Sequence, residues 1–125
     1  MSQLKDIVVD CADAYTLAHW WAGVLGYRVR PYTDADLELL RQQGIQDPRD
    51  DPNIALDPID EPGPGFWFCR VPESKAVKNR VHIDVYGDVD TLIGRGATLV
   101  ERHERWTVLA DPEGNEFCAF APPDG

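Results

Sequence analysis

The sequence has few cysteines, little positive charge and no long apolar run. It has three cysteines, Cys11, Cys69 and Cys118. So small and odd a number does not favour a secreted domain stabilised by disulfides. The most apolar stretch, Leu17–Tyr27, is well short of the roughly 20 residues of a membrane span. The first residues also lack the apolar run of a signal peptide. We therefore expect a cytoplasmic protein with reduced thiols and no membrane partner.

The net charge of the chain further restricts the classes of partner that it can be expected to bind. The chain has 12 Lys and Arg against 22 Asp and Glu, a formal net charge of −10 at pH 7. A nucleic-acid-binding protein needs a basic patch to displace counterions from phosphates, and the local cationic cluster of Lys75, Lys78 and Arg80 is small. We therefore expect no nucleic-acid partner. A small-molecule ligand is expected instead, and the acidic surface would favour a cationic one.

The rest of the composition, 43% hydrophobic and 27% charged, is typical of a globular protein, and 125 residues suit one domain. Apolar residues alternate in four segments, which predicts strands. Between the first two, Asp13 is placed to cap a helix and Gly26 to end it. The four predicted strands are Leu4–Cys11, Tyr27–Tyr32, Ile54–Leu56 and Phe66–Val71.

The second half repeats this order. A predicted strand is followed by a short helix capped by Asp88 or Asp90, and three more strands follow. These strands are Val81–Tyr86, Ala97–Glu101, Trp106–Ala110 and Glu116–Phe120. The chain therefore reads as a tandem duplication of a strand-helix-three-strand unit.

The halves differ by an insertion. Thr33 is placed to cap a helix over Asp34–Gln43 that ends at Gly44, and the acidic loop Asp47–Pro52 follows. The insertion is either a lid over a pocket or a surface excursion.

Strand alternation also sorts side chains into faces. One face of each half is apolar and is expected to pack against the helices; it carries Ile7, Val9, Phe68, Ile83, Val85, Phe117 and Ala119. The opposite face is rich in carboxylates, thiols and aromatics: Asp6, Asp10, Trp67, Cys69, His82, Asp84, Tyr86, Glu116, Cys118 and Phe120. If the strands of both halves form one cup, this mixture suits a ligand or metal site.

Two metal sites are compatible with these faces. Asp6 and His82, taken as equivalent strand starts, could join Cys69 and Cys118 around zinc. Alternatively, His82, Asp84 and Glu116 could hold a harder ion such as iron(II), manganese or nickel. In a structural reading, His82 is instead a hydrogen-bonded histidine and the cysteines are small buried residues.

Further residues are candidates for substrate binding. Trp67 and Trp106 lie on predicted strands and could stack on a ligand. Asn79 and Arg80 precede the fifth strand and could hold an anion, although loop cations are often simply solvated. Asp10 and Tyr86 complete the predicted binding set.

Several segments together identify a resemblance. They are Asp10–Asp13, His19–Tyr27, Val71–Glu73, Lys78–Asp84 and Asp111–Cys118. With these the chain resembles the glyoxalase-like branch of the vicinal oxygen chelate superfamily, which includes glyoxalase I, bleomycin-resistance proteins, fosfomycin-resistance transferases and extradiol dioxygenases.

The resemblance implies an α+β fold: two tandem βαβββ modules in an open, cup-shaped mixed β-barrel with helices packed outside. It places module one at about 1–73, with the insertion at about 33–53, and module two at about 79–122 of a single 1–125 domain. It also implies a homodimer.

The resemblance implies function less closely. Metal-dependent members carry a histidine on the first strand, His, Gln or Glu at the start of the fifth, and Glu on the eighth. Here these positions hold Asp6, His82 and Cys118, so only His82 matches.

Three functions therefore remain open. One is a lyase, isomerase or oxygenase that uses zinc, nickel, iron or manganese, with Glu116 or Asp84 as general base. The second is a metal-free binding protein of the bleomycin-resistance type, whose acidic and aromatic residues sequester a cationic or aromatic ligand. The third is metal-free acid/base catalysis by Asp84 and His82.

Overall fold

A computed structural model describes residues 1–123, and residues 124 and 125 of the expected domain lie outside it. The chain divides into two compact units, Met1–Ser74 and a second that begins at Lys75. None of the helices described in this range has the length and hydrophobicity needed to cross a membrane. The first unit contains β1 (Asp6–Cys11), α1 (Ala14–Leu25), β2 (Tyr27–Val29), α2 (Asp34–Gln42), a 3₁₀ turn (Pro48–Asp50), β3 (Asn53–Pro58) and β4 (Gly65–Arg70). The second contains β5 (Ile83–Tyr86), α3 (Val89–Gly94), β6 (Thr98–Arg102), β7 (Trp106–Ala110) and β8 (Glu116–Phe120).

Each unit has one four-stranded mixed sheet. The strand orders are β1-β4-β3-β2 and β5-β8-β7-β6, so the two units have the same topology. In each, the first strand runs parallel to the last and the other pairs are antiparallel. A parallel pair needs a long crossover, and here α1 or α3 with the intervening strands supplies it. The predicted α+β class and the two βαβββ modules are confirmed.

Helix α1 shows how local sequence directs the first unit. The Asp13 carboxylate accepts hydrogen bonds from the Thr16 backbone N–H at 3.1 Å and from its hydroxyl at 2.7 Å, as predicted for the cap. The face of the helix that carries Leu17 and Trp21 is buried. This face packs on β3 and β4. Gly26 then ends the helix with φ +68°, a conformation that glycine adopts without steric cost.

The apolar faces predicted from alternation form the two cores. In the first unit the register places Phe68 opposite Ile54 and Phe66 opposite Leu56, and all four are buried. In the second unit Phe117 lies between Ile83 and Leu109. The remaining face of each sheet is therefore the one that carries the polar and aromatic side chains.

Six of the eight strands differ from their predicted boundaries by one to three residues, and β2, β5 and β6 are among them. Strand β2 stops at Val29, and after a last bond from the Arg30 N–H to the Ala55 carbonyl, Pro31 has no N–H to continue the ladder. Strand β5 starts at Ile83 instead of Val81, because the Asn79 side chain already accepts the Glu116 N–H at 3.2 Å. The sixth strand covers Thr98–Arg102 instead of Ala97–Glu101, with a shift in register between Leu99 and Glu101.

Two glycines, Gly26 just after α1 and Gly94 at the last position of α3, provide a matched stability test. We expect Gly26→Ala to destabilise the protein by about 1 kcal/mol, because an L side chain is strained at this positive φ. A Cβ at Gly26 would contact nothing within 4 Å, so the cost would come from the backbone alone. Gly94 is equally open but lies in α3, so Gly94→Ala should be neutral or stabilising by up to about 1 kcal/mol. Urea unfolding followed by circular dichroism measures both, and equal effects would contradict this account.

Candidate functional site

Three chemically different side chains meet on the polar face of the second sheet. Ligand atoms of His82, Asp84 and Cys118 all lie within 4.8 Å of one another. The parallel register pairs Asp84 with Cys118, and His82, two residues before Asp84, projects to the same side because side chains alternate along extended chain. We call these three residues the His-Asp-Cys cluster. His82 belongs to both of the metal sites predicted from the sequence, Cys118 belongs to the predicted zinc site, and Asp84 belongs to the predicted site for a harder ion.

The cluster is open to solvent on one side and closed on the other. His82 Nδ1 is 3.1 Å from Asp84 Oδ1, and both side chains are about half exposed. Cys118 is buried. Burial raises the pKa of the Cys118 thiol, and the negative charge of Asp84 raises it further. A cation that binds here must therefore displace the thiol proton, which makes its affinity depend on pH.

Glu116 lies two residues before Cys118 on the same face of β8. Its carboxylate accepts a hydrogen bond from the Lys78 ammonium group. Asn79, predicted to bind a ligand, uses its carbonyl for the Glu116 N–H and its amide for the Asn115 side chain at 3.4 Å. The structure thus gives Asn79 a positioning role, and Arg80 beside it is exposed.

A row of rings lies next to the cluster. Tyr86 pairs with Phe120, which pairs with Trp106. These residues lie two positions beyond the Asp84–Cys118 pair and therefore on the same face. The Trp106 and Phe120 rings are 6.3 Å apart and nearly parallel, and His103 stacks on Trp106 at 4.6 Å. Tyr86 is 70% exposed and Trp106 37%. We call these four residues the aromatic row; it presents ring surface to a planar ligand.

The first unit repeats the pairing of an aspartate with a cysteine, and its register shows that one prediction is wrong. Its register pairs Asp10 with Cys69, so Asp10 is the counterpart of Asp84, and Val8 corresponds to His82. The expected equivalence of Asp6 and His82 is therefore wrong by two residues.

The same register separates two residues of the predicted zinc site. Asp6 pairs with Gly65, four residues before Cys69 on β4, a distance of about 13 Å along the strand. One ion therefore cannot bind both Asp6 and Cys69, and Asp6 instead accepts a hydrogen bond from Lys5 at 2.6 Å.

The first unit has one further feature, a cavity of about 260 Å³. Trp67, predicted as a ligand-stacking residue, lines it together with Tyr32, just before the insertion, and with Leu39 and Asp51 of the insertion. Strand alternation identified Trp67 but gave no signal for the other three. The only signal for the cavity is the insertion itself, with a capped helix and a proline-rich loop at a position where the second half has neither.

The Asp10–Cys69 pair yields a test of the electrostatics. Burial raises the pKa of the Cys69 thiol, and the Asp10 carboxylate raises it further. Asp10→Asn should lower this pKa, increase the thiolate fraction at pH 8 and accelerate alkylation by iodoacetamide by roughly twofold or more. Mass spectrometry of the modified peptides gives the rate at each cysteine, and Cys118, whose neighbour Asp84 is unchanged, is the internal control. An unchanged Cys69 rate, or an equal increase at Cys118, would contradict the expected effect.

Solved structures share this fold over nearly the whole chain. An oxidase, ChaP-H2, matches with a TM-score of 0.59 and 19% identity, covering 100% of this chain and 97% of its own. A glyoxalase/bleomycin resistance/dioxygenase family enzyme from Burkholderia phytofirmans PsJN matches with 0.61 and 20%, covering 94% and 97%. The fosfomycin resistance protein FosX from Mesorhizobium loti matches with 0.61 and 14%, covering 98% and 94%. At these identities the similarity shows the fold alone.

Sequence comparison gives the family. No curated protein matches the chain at a significant level. The family model of the glyoxalase-like domain matches residues 6–120, which includes every strand of both units. The protein therefore belongs to the glyoxalase-like domain family of the vicinal oxygen chelate superfamily.

Proposed function

We propose that the protein is a metal-dependent enzyme that acts on a small oxygenated molecule, with the ion bound by the His-Asp-Cys cluster. The observation that carries this proposal is the convergence of an imidazole nitrogen, a carboxylate oxygen and a thiol sulfur within 4.8 Å. Their positions follow from the sheet register and not from a flexible loop, apart from His82 at the strand entrance.

The donor set fits a divalent ion. Zinc binds nitrogen, oxygen and sulfur ligands at about 2.0–2.3 Å in tetrahedral geometry, so two donors of one ion are about 3.3–3.6 Å apart. Ligand atoms up to 4.8 Å apart would move closer by about 1 Å to share one ion, through rotation of the half-exposed His82 and Asp84 side chains. Nickel, iron(II) and manganese are alternatives, although the sulfur donor favours zinc over manganese. Three protein ligands would leave a coordination position for a substrate, as in catalytic zinc sites.

The neighbouring side chains supply the remaining chemistry. A divalent ion at this site would polarise a substrate oxygen and stabilise negative charge that develops on it. Glu116 lies about 7 Å from Cys118 along the strand. It is our candidate general base, which would take a proton from one atom of the substrate and return it to another atom of the reacting molecule. Lys78 holds the Glu116 carboxylate in place. Asp84 is the alternative base if it does not remain bound to the ion.

Substrate orientation would come from the aromatic row. The row lies two residues along the strands from Asp84 and Cys118, on the same face. It would hold a planar group beside the cluster while the oxygens of the substrate face the cluster. Substrates with both a flat apolar part and oxygen substituents are therefore favoured over purely aliphatic ones.

The aromatic row also supports a second candidate, a metal-free protein that sequesters a cationic or aromatic ligand. Exposed rings beside the Asp84 carboxylate are suited to a planar cation. The two candidates differ in their need for His82. If the protein sequesters ligands without metal, a planar cation such as proflavine should raise the melting temperature of the chelator-treated His82→Ala variant. The same compound should not stabilise Trp106→Leu.

Metal content tests the main proposal directly. We expect about one zinc, nickel, iron or manganese ion per chain after native purification without tag or chelator, and about tenfold or more weaker binding in His82→Ala because one ligand is lost. His103→Ala is the matched control, since His103 belongs to the same unit but lies outside the cluster. Plasma mass spectrometry and cobalt(II) titration measure content and affinity. Equal binding by the two variants, or no binding by any form, would contradict the proposal.

A further inference from the structure

The insertion between β2 and β3 forms one wall of the first-unit cavity, which we call the α2 cavity. Its volume is about 260 Å³. Ala55 and Trp67, which pair on neighbouring strands β3 and β4, form the apolar floor, and Leu39 and Leu40 of α2 form the wall. All these residues belong to the first unit. The proposed metal chemistry uses none of them.

The walls of the α2 cavity are held by specific hydrogen bonds. Thr33 and Asp36 form a reciprocal capping box that fixes the start of α2. After the helix, the Ile45 N–H donates to the Leu40 carbonyl at 2.9 Å. At the opposite side, the Tyr32 hydroxyl donates to Asp51 Oδ2 at 2.7 Å. A preformed wall lowers the entropy that a ligand must overcome on binding.

The apolar surface in the α2 cavity calls for an apolar ligand body. Ala55 is 6% exposed, so the floor is closely packed. Leu39 is 56% exposed although it lines the cavity, and a bound ring would cover it. Arg30 lies over one face of the Trp67 indole, so a ring would stack on the part of the indole that Arg30 leaves uncovered.

The charges around the α2 cavity favour a cation. Arg30 lies 5.4 Å from the Trp67 ring centroid, but its guanidinium is bound by both oxygens of Asp57 at 2.8 and 2.9 Å. The other charged lining residues are Asp36 and Asp51. Hydrogen bonds from the Thr33 backbone and side chain lower the pKa of Asp36, so this carboxylate is anionic at neutral pH. The lining therefore has two carboxylates and one guanidinium that is already paired.

We propose that the α2 cavity binds a small ring-bearing amine in its protonated form. The ring would occupy the space between Trp67 and Leu39, and the ammonium group would lie at the rim near Asp36 and Asp51. The volume suits one or two fused rings. This inference is independent of the proposed metal chemistry, because no residue of the His-Asp-Cys cluster takes part.

Two probes with the same ring and opposite charge test the ligand class. Tryptamine is cationic and indole-3-propionate is anionic at pH 7. In chelator-treated protein, titration followed by the Trp67 indole N–H signal in ¹H–¹⁵N NMR, assigned through Trp67→Phe, should show tryptamine binding about tenfold or more tightly. Added salt should weaken tryptamine binding, because the attraction is between charges near the surface. Equal affinities, or no binding of either probe at millimolar concentration, would overturn the proposal.

Matched lysine variants on α2 test the location. Leu39→Lys places a cation in the cavity wall, whereas Gln42→Lys makes the same change in charge at an exposed residue of the same helix outside the lining. We expect Leu39→Lys to weaken tryptamine binding about tenfold or more and Gln42→Lys to change it less than about twofold. Both sites are exposed, so both variants should fold.

The outcomes separate this site from the one proposed in the second unit. Loss of tryptamine binding in Trp106→Leu, with full binding in Leu39→Lys, would place the amine on the aromatic row and overturn the α2 cavity. Failure of metal binding in the His82 experiment would leave the tryptamine result unaffected. Each proposal can therefore fail without the other.

Discussion

The parallel pairing of the first and last strands in each unit is the constraint on which the rest of the structure depends. A helix and two other strands separate β1 from its partner β4, and β5 from its partner β8, along the chain. Because no tight turn joins the paired strands, packing sets their register. In the second unit this register places Asp84 beside Cys118 and Tyr86 beside Phe120. A shift of one residue in this register would turn these side chains into the core. The register that buries the apolar face of β8 is therefore also the one that assembles the candidate site.

Strand faces could be predicted from the sequence, but strand register could not. Alternation correctly assigned Asp84, Cys118 and Glu116 to one face, because parity depends only on position along each strand. It could not decide whether Asp6 or Asp10 lies opposite Cys69, since both have the same parity. The start of β5 was missed for a similar reason: Asn79 and Glu116 are distant in sequence, and their hydrogen bond exists only in the folded chain.

The insertion illustrates the other limit. Its helix was predicted almost to the residue because Thr33, Asp36 and Gly44 act locally, through a capping box and a positive φ. Its role was left between a lid and a surface excursion, because the side of the sheet on which a helix packs is a tertiary property. The α2 cavity depends on Leu39 and Leu40 facing Trp67, a residue 27 positions beyond Leu40 in the chain, and local pattern carries no information about that pairing.

Comparison of the two units suggests why only one of them has a metal-binding group among residues 1–123. Both place an aspartate beside a cysteine on the polar face, Asp10 with Cys69 and Asp84 with Cys118. Burial raises the pKa of both thiols, and the adjacent carboxylate raises each pKa further. The second unit adds His82 where the first has Val8. A neutral imidazole supplies a lone pair without adding negative charge, so this one residue changes a repulsive pair into a three-donor site.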